Sequence, residues 1–586
     1  MKRAIGLGLV VLCLVPVAFV GTGCKRRKRH SGRSKQVFSN QSIPPTPAFA
    51  SISPRRGIST GGTAVTITGS GFVGGTTRVT INGNALVGQS VNGPTSITGT
   101  MPALVAGQNP SATIEIDGGQ GGRVTRTQAF GYIIRLVDPA PAAGDVFGSS
   151  FDDTAATRAL VPARNYVGVP IAIADFNNDG RLDLAVGEPG KDLPAVNAGQ
   201  VLVFLADASG QFAAALAPIT EAVPVAGATF GFALAAGEVS GDANRDLVVG
   251  APGAVLGAAN ILAGRAVVRT GNGAGGFPGS AALVGFGVVD DLFGFSVAVG
   301  NFDGAVDATL EIVVGAPERP AAGPILGAGA FADYDSPGFV STGYAGTVVS
   351  QNLGVALASI DLNADGLADV VAGSPNPPAA GSVGLGRSDG TVAGGFFPGA
   401  LSTPVAPTTA DVGGVFGAAV ATGNFDGGGT DAFAGQPLGD PAGLADAGRA
   451  EALFGNGAGG VATQVQLFDP AALAGRTFGT PLAMGDLNGD GFSDAIVSST
   501  GATVSGLAGA GAVHLIFSNG VPQTFNFSET LTEAVATAAE LNAIFGVTVR
   551  SADFNGDGLA DVVVANSGTA GGFANAGEVF VFYQPR

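Results

Sequence analysis

Tryptophan is absent from this chain, and histidine and cysteine each occur only twice in 586 residues. Both cysteines, Cys13 and Cys24, lie at the extreme N-terminus. Everything after them is therefore without a disulfide, a thiolate nucleophile or a cysteine metal site. His30 and His514 give little support to a Ser/His/Asp constellation, and His514, in the apolar run 513–517, reads as strand packing. There are 28 Lys and Arg against 45 Asp and Glu, a net charge of -17. A nucleic-acid partner is excluded on that balance, because phosphate binding requires basic surface, whereas clustered acidity suits cations. No G-x-x-x-x-G-K run is present, so a phosphate loop of that type is excluded. With no Trp and only 5 Tyr, the chain lacks the aromatic platforms on which many ligand sites are built. Charged residues make up 12% and hydrophobic residues 46%, which argues for folded domains rather than a solvated disordered chain.

Glycine is abundant instead, at 97 residues with no G-X-Y period, as expected of short strands joined by tight turns. The chain opens on Met1-Lys2-Arg3, continues with an apolar stretch from Ala4 to Val20, and reaches Gly21-Thr22-Gly23-Cys24. Such a segment reads as an export signal, residues 1–23. Small residues directly before a cysteine resemble the lipobox of bacterial lipoproteins, and this implies lipidation of Cys24. Gly21 departs from that pattern, where an aliphatic residue is usual. Plain secretion and an uncleaved membrane anchor are the alternatives. Lys25 to Arg29 and the Ser, Gln, Asn and Pro residues up to 46 form a basic, flexible tether beside lipid headgroups.

Residues 47–134 alternate short apolar strands with turns: Val65 to Thr68, Val79 to Ile81 before Asn82-Gly83-Asn84, and Ala112 to Ile116 before Asp117-Gly118-Gly119. That pattern predicts a small antiparallel sandwich of immunoglobulin size. Pro54, Gly57, Gly61-Gly62-Thr63, Ile67-Thr68-Gly69, Gly71-Phe72, Thr100-Met101-Pro102 and Phe130-Gly131-Tyr132 resemble the IPT/TIG family of immunoglobulin-like domains. The resemblance implies a spacer or a binding module.

Residues 135–586 repeat one unit seven times. Each unit carries an acidic loop, starting at Asp175, Glu238, Asn301, Asp361, Asn424, Asp486 and Asp553. A bulky residue and glycine precede each start by eight residues, from Val167-Gly168 and Phe230-Gly231 to Phe545-Gly546. A strand follows the loop and usually ends in Gly-x-Pro, and a further strand begins with a small residue and glycine, as at Ala198-Gly199 and Ala576-Gly577. Several strands in about 63 residues suggest a propeller blade that buries its faces only by stacking on neighbours. The expected fold is all-β, a seven-bladed β-propeller preceded by a small Ig-like β-sandwich. Residues 133–137 are expected to complete the last blade. The Phe-Gly and Gly-Ala-Pro landmarks resemble the FG-GAP repeats of integrin α-subunit propellers and their bacterial relatives.

Four loops place oxygen-bearing side chains at positions 1, 3, 5 and 9 and glycine at position 6: Asp175/Asn177/Asp179/Asp183, Asp361/Asn363/Asp365/Asp369, Asp486/Asn488/Asp490/Asp494 and Asp553/Asn555/Asp557/Asp561. With a backbone carbonyl from position 7 (Arg181, Leu367, Phe492 and Leu559), such a loop can converge on one point and offer Ca2+ the oxygens it requires. Position 12 falls in a strand, which excludes an EF-hand. A turn alone accounts for Asn, Asp and Gly, but not for the acid at position 9. Glu238/Ser240/Asp242/Asp246, Asn301/Asp303/Asp307/Glu311 and Asn424/Asp426/Asp431 are degraded copies. The expected protein is non-catalytic: a calcium-stabilised adhesion or ligand-binding protein of the bacterial cell envelope, held to the membrane by lipid at Cys24. Its protein or glycan ligand would meet a propeller face, for instance at the insert Pro320 to Gly343. A purely structural scaffold and a carbohydrate-active enzyme are the alternatives.

Overall fold

The computed structural model describes residues 44–586 apart from 149–169, 256–262, 287–290, 305–308, 321–327, 335–339, 346–350, 376–379, 389–403, 534–542, 570–572 and a few isolated positions. The export signal, Cys24, most of the tether, Val167-Gly168 and much of the insert 320–343 lie outside the described residues. The described chain is built from many small sheets, with helix confined to short turns such as Gly119–Gly121 and Pro441–Gly443. None of its helices is long and apolar enough to cross a membrane.

The N-terminal segment is a two-sheet sandwich. One sheet pairs, in spatial order, Ala48–Ser53, Ala64–Ser70, Ser96–Thr100 and Val87–Gly93. The other contains Asn84–Ala85, Arg78–Ile81, Ser111–Asp117 and Arg123–Leu136, with Arg56–Ile58 lying parallel to the last. Alternation in these strands puts Val65, Ile67, Val79, Ile81, Ile114 and Ile116 into one core with Phe72, Ile97 and Phe130.

Six further sheets follow, each with its strands antiparallel and in chain order, and a seventh unit, here called sheet seven, adds three antiparallel strands to the second sandwich sheet through Arg123–Leu136. Their first strands are Ile171–Ala174, Ala233–Gly237, Val297–Gly300, Leu357–Ile360, Val420–Gly423, Phe478–Gly485 and Thr548–Ala552. The second strand of every sheet is buried along its whole length, from Asp183–Glu188 in sheet one to Asp561–Asn566 in sheet seven. Its valines and leucines are covered on both faces by neighbouring sheets, each such side chain contributing about 1.5–3 kcal/mol of transfer free energy. Sheets one and two share a core around Phe230 and Val249, and sheets six and seven share one around Phe545, Ile496 and Val562. Sheet seven shares another with sheet one, through Val579, Val581, Leu184 and Val186. First strands also lie beside one another in chain order, and the last lies beside the first.

Two details complete sheet seven and join it to sheet one. The long strand Arg123–Leu136 leaves the sandwich and pairs with Glu578–Phe582, Val579 opposite Leu136 and Phe582 opposite Ile133. This is the pairing expected for residues 133–137, and the strand runs straight through the boundary placed at 134. The second detail is a further Phe-Gly pair, Phe147-Gly148, which makes the hydrogen bonds of the landmark at sheet one, while Val167-Gly168 lies outside the described residues. Phe147 donates its N–H to Ala576 O at 2.9 Å, as Phe230 does to Ala198 O at 3.0 Å and Phe545 to Ala510 O at 2.9 Å. Gly148 donates to Gly187 O as Gly294 does to Gly315 O. Extra chain between Phe147 and Asp175 breaks the fixed eight-residue spacing on which the sequence reading relied.

Candidate metal-binding loops

Each acidic loop connects the first and second strands of a sheet, and its position 9 is the first residue of the second strand: Asp183, Asp246, Glu311, Asp369, Asp431, Asp494 and Asp561. All seven are buried. In six of them the two carboxylate oxygens accept backbone N–H groups from two different places. Asp183 takes Phe176 N–H at 2.9 Å and Ala206 N–H at 2.8 Å. Asp494 takes Leu487 at 2.8 Å and Ser518 at 2.9 Å, and Asp431 takes Phe425 at 2.7 Å and Gly455 at 2.8 Å. Asp246, Asp369 and Asp561 repeat the pattern. Glu311 reaches Phe302 and Asp303 N–H with one oxygen, spanning the longer loop with its extra methylene. The position-9 carboxylate thus ties the exits of the first and third strands to the start of the second. The sequence reading saw only a ligand there. The signal for a second role was present: position 9 keeps its acid even where positions 1, 3 and 5 have decayed.

Positions 1, 3 and 5 are organised alike in the four complete loops. Asp175 accepts Asp179 N–H at 3.0 Å and Gly180 N–H at 2.7 Å, and Asp361, Asp486 and Asp553 accept the matching pairs. At position 3, Asn177 Oδ1 accepts Asp179 N–H at 3.1 Å and Asn363 Oδ1 accepts Asp365 N–H at 3.1 Å. Asn488 Oδ1 accepts Asp490 N–H at 2.8 Å, and Asn555 Oδ1 accepts Asp557 N–H at 3.1 Å. At position 5, Asp179 accepts Arg181 N–H at 3.0 Å and Asp365 accepts Leu367 N–H at 2.9 Å. Asp490 accepts Phe492 N–H at 3.0 Å, and Asp557 accepts Leu559 N–H at 2.9 Å. Glycine at position 6 has φ of +84°, +90°, +89° and +82°, a reversal that a side chain would strain. Asp179 also holds the Arg181 guanidinium at 2.5 Å.

Among the described residues, three carboxylates with oxygens within 4.8 Å of one another occur only at Asp138, Asp145 and Glu188, and there Lys191 Nζ stands between Asp138 at 2.6 Å and Asp145 at 2.8 Å. Asp175, Asp179 and Asp183 are therefore not one tight cluster, nor are Asp361, Asp365 and Asp369, nor Asp486, Asp490 and Asp494, nor Asp553, Asp557 and Asp561. Asp179, Asp365 and Asp490 sit on the exposed tips of their loops, while Asn177, Asn363 and Asn488 are half-buried beneath them. The amides of Asn177 and Asn363 turn their Nδ2 donors onto Asp179 Oδ2 at 2.9 Å and Asp365 Oδ2 at 2.8 Å, occupying oxygens that the sequence reading gave to the ion. The position-5 acids cap their own turns, and the position-9 oxygens accept backbone N–H groups in complete and degraded loops alike. Burial, with the charges of the neighbouring acids, pushes Asp183 and Asp369 up to about 6 and Asp494 up to about 7. Asp561 is raised for the same reasons. In the seventh loop burial raises the Asp557 carboxyl, against the hydrogen bonds of Leu559 N–H and the Ser111 and Asn555 side chains. That loop also touches the sandwich, where Asn555 Nδ2 donates to Ser111 Oγ at 2.9 Å.

His514 is buried in sheet six, Nε2 at 3.1 Å from Ser499 Oγ and 3.2 Å from Asp469 Oδ2. Ser499 Oγ and Arg476 Nε both donate to the same Asp469 oxygen that faces the imidazole.

The comparisons with known proteins fall on these elements. Residues 47–132 are an IPT/TIG domain, and residues 169–204, 478–516 and 545–582 are FG-GAP repeats. The FG-GAP matches coincide with sheets one, six and seven, each of which carries a complete loop. A phosphatidylinositol-glycan-specific phospholipase D of Dictyostelium discoideum is 35% identical over 115 residues, 18% of this chain and 12% of that relative's length. Solved structures with partial likeness include the BP39L lectin of Burkholderia pseudomallei, with a TM-score of 0.41 and 14% identity over 72% of this chain and 99% of that one. A Bacillus licheniformis rhamnogalacturonan lyase gives 0.37 and 12% over 93% of this chain and 90% of that one.

Proposed function

We propose that this protein is a non-catalytic, calcium-stabilised ligand-binding protein of the bacterial cell surface, with its seven sheets arranged as the blades of a β-propeller. The propeller reading is supported by the sequence of shared cores that runs from sheet one to sheet seven and back to sheet one. The FG-GAP repeats and the IPT/TIG domain favour a surface ligand-binding role. Export and lipid attachment at Cys24 remain the reading of the N-terminus, and the ligand is a protein or a glycan.

Calcium fits the four complete loops on one observation above the others: each gathers three carboxylates and an amide oxygen within nine residues, around a glycine of positive φ at position 6. The residues that would hold the ion are those at positions 1, 3 and 5, with the position-7 carbonyl and the second lone pairs of position 9. In the first and fourth sheets this requires the amides of Asn177 and Asn363 to give up Asp179 and Asp365, an exchange of one hydrogen bond for a cation contact. A bound cation would offset both the burial and the neighbouring charges that raise Asp183, Asp369, Asp494 and Asp561. The degraded loops of sheets two, three and five fold around the position-9 carboxylate without needing one.

Pull-down from bacterial and host cell-surface extracts, with calcium and with chelator, tests the surface-binding role. A specific partner retained with calcium and lost in chelator is expected. Absence of any retained protein or glycan in both conditions would instead favour a scaffold without a ligand.

A further inference from the structure

The seven first strands line one cavity of about 340 Å³. Counting back three residues from each acidic loop gives Ala172, Ala235, Ala298, Ala358, Ala421 and Ala483 in sheets one to six, all on the cavity wall. In sheet seven the same register holds Arg550. One arginine therefore replaces the seventh member of a ring of methyl groups, in the space those small residues leave open.

Among the described residues, the guanidinium of Arg550 has one hydrogen bond, a long contact of 3.2 Å from Nη1 to the carbonyl of its neighbour Val549. Among the described residues no carboxylate pairs with it. Burial alone pulls it down, to about 10, with no carboxylate acting on it. Other polar side chains on the wall are committed elsewhere. Ser359 Oγ donates to Val299 O at 2.7 Å, Thr422 Oγ1 to Ser359 O at 3.5 Å and Ser551 Oγ to Met484 O. These hydroxyls stitch one first strand to the one before it. Arg550 is left as the cationic donor facing the cavity.

We propose that the cavity is a binding site for a small oxyanion, a carboxylate or a phosphate-like group, gripped by Arg550. The guanidinium offers parallel N–H donors that match two oxygens of such a group. Partial desolvation makes the pair stronger than on an open surface. The ring of alanines admits the anion's body where any longer side chain would fill the space. This site is separate from the acidic loops and does not depend on their binding calcium.

Calorimetric titration of the calcium-loaded protein with sodium acetate, inorganic phosphate and sulfate, against sodium chloride at equal ionic strength, tests the proposal. Binding of acetate alone assigns a carboxylate ligand, and binding of phosphate or sulfate alone assigns a tetrahedral oxyanion. Either result must weaken at least tenfold in Arg550→Ala and recover in part in Arg550→Lys. The alanine variant is expected to fold, because alanine is the residue that the other six sheets carry there. In the wild type, the Arg550 side-chain N–H resonances should move on titration with the bound anion. No saturable binding of any of the three anions, or binding unchanged in Arg550→Ala with an unmoved Arg550 resonance, would overturn the proposal.

Discussion

At the scale of single residues, the acid at position 9 carries the most structural weight. Asp431 shows it without the complication of a complete loop. Its loop is one residue short, yet its oxygens hold Phe425 and Gly455 N–H as the complete copies do. Asp431→Ala strands two backbone donors in a region closed to water, each at about 1–3 kcal/mol. The melting temperature should fall by several degrees, equally with calcium and with chelator. A loss seen only with calcium would make Asp431 a ligand and not a tie. Glu188 offers a second residue-scale test. Burial, then the charge of Asp138, pushes its carboxyl up to about 9 from an ordinary 4.5. Between those values the folded chain keeps a proton that the unfolded chain releases, so stability falls as pH rises, by at most ~1.4 kcal/mol per pH unit. Glu188→Gln removes that slope. Thermal melts should find wild type and variant closest near pH 5, with the variant increasingly the more stable toward pH 9. Parallel curves across that interval would contradict the assignment.

At the scale of elements, the small residue and glycine that open each third strand are the joints between sheets. A Cβ on Gly577 would stand 2.5 Å from Phe147 O, and one on Gly199 would stand 2.2 Å from Phe230 O. Both glycines have φ near +80°, which adds strain to any side chain. Gly577 matters most, because its neighbour Phe147 belongs to the first unit and the contact joins the two ends of the sheet series. Gly577→Ala should destabilise the protein by about 1–3 kcal/mol, and should increase hydrogen exchange of residues 171–174 and 578–582 before that of the central sheets. Uniform exchange across all sheets would show that the joint is not local to sheets seven and one. Much at this scale was legible in the sequence. Apolar runs before and after each loop gave the first and second strands, and the short ending of the last unit pointed to residues 133–137. Phe147-Gly148 was not legible, because an insertion separates it from its loop and only the hydrogen bond to Ala576 identifies it. The tying role of position 9 was hidden for a different reason: one residue type serves both as metal ligand and as acceptor for backbone N–H. The same ambiguity covers Asn177, Asn363 and Asn488, whose spacing from Asp179, Asp365 and Asp490 suits a turn cap as well as a ligand set.

At the scale of the molecule, shared cores and carboxylate ties hold the sheets to one another, and on the proposed reading the four complete loops would add cations to a chain of net charge -17. Arg550 lay in plain view as the one break in a column of alanines, but a cavity is a property of seven strands together, and no local pattern announces it. The central claim is that the complete loops bind calcium while the degraded ones do not. Isothermal titration of metal-free protein with calcium, paired with a thermal melt, tests it most directly. The account predicts about four sites, lost one at a time in Asp175→Ala, Asp361→Ala, Asp486→Ala and Asp553→Ala, and a melting temperature raised by calcium. Seven sites, or no heat of binding and no thermal shift, would contradict it.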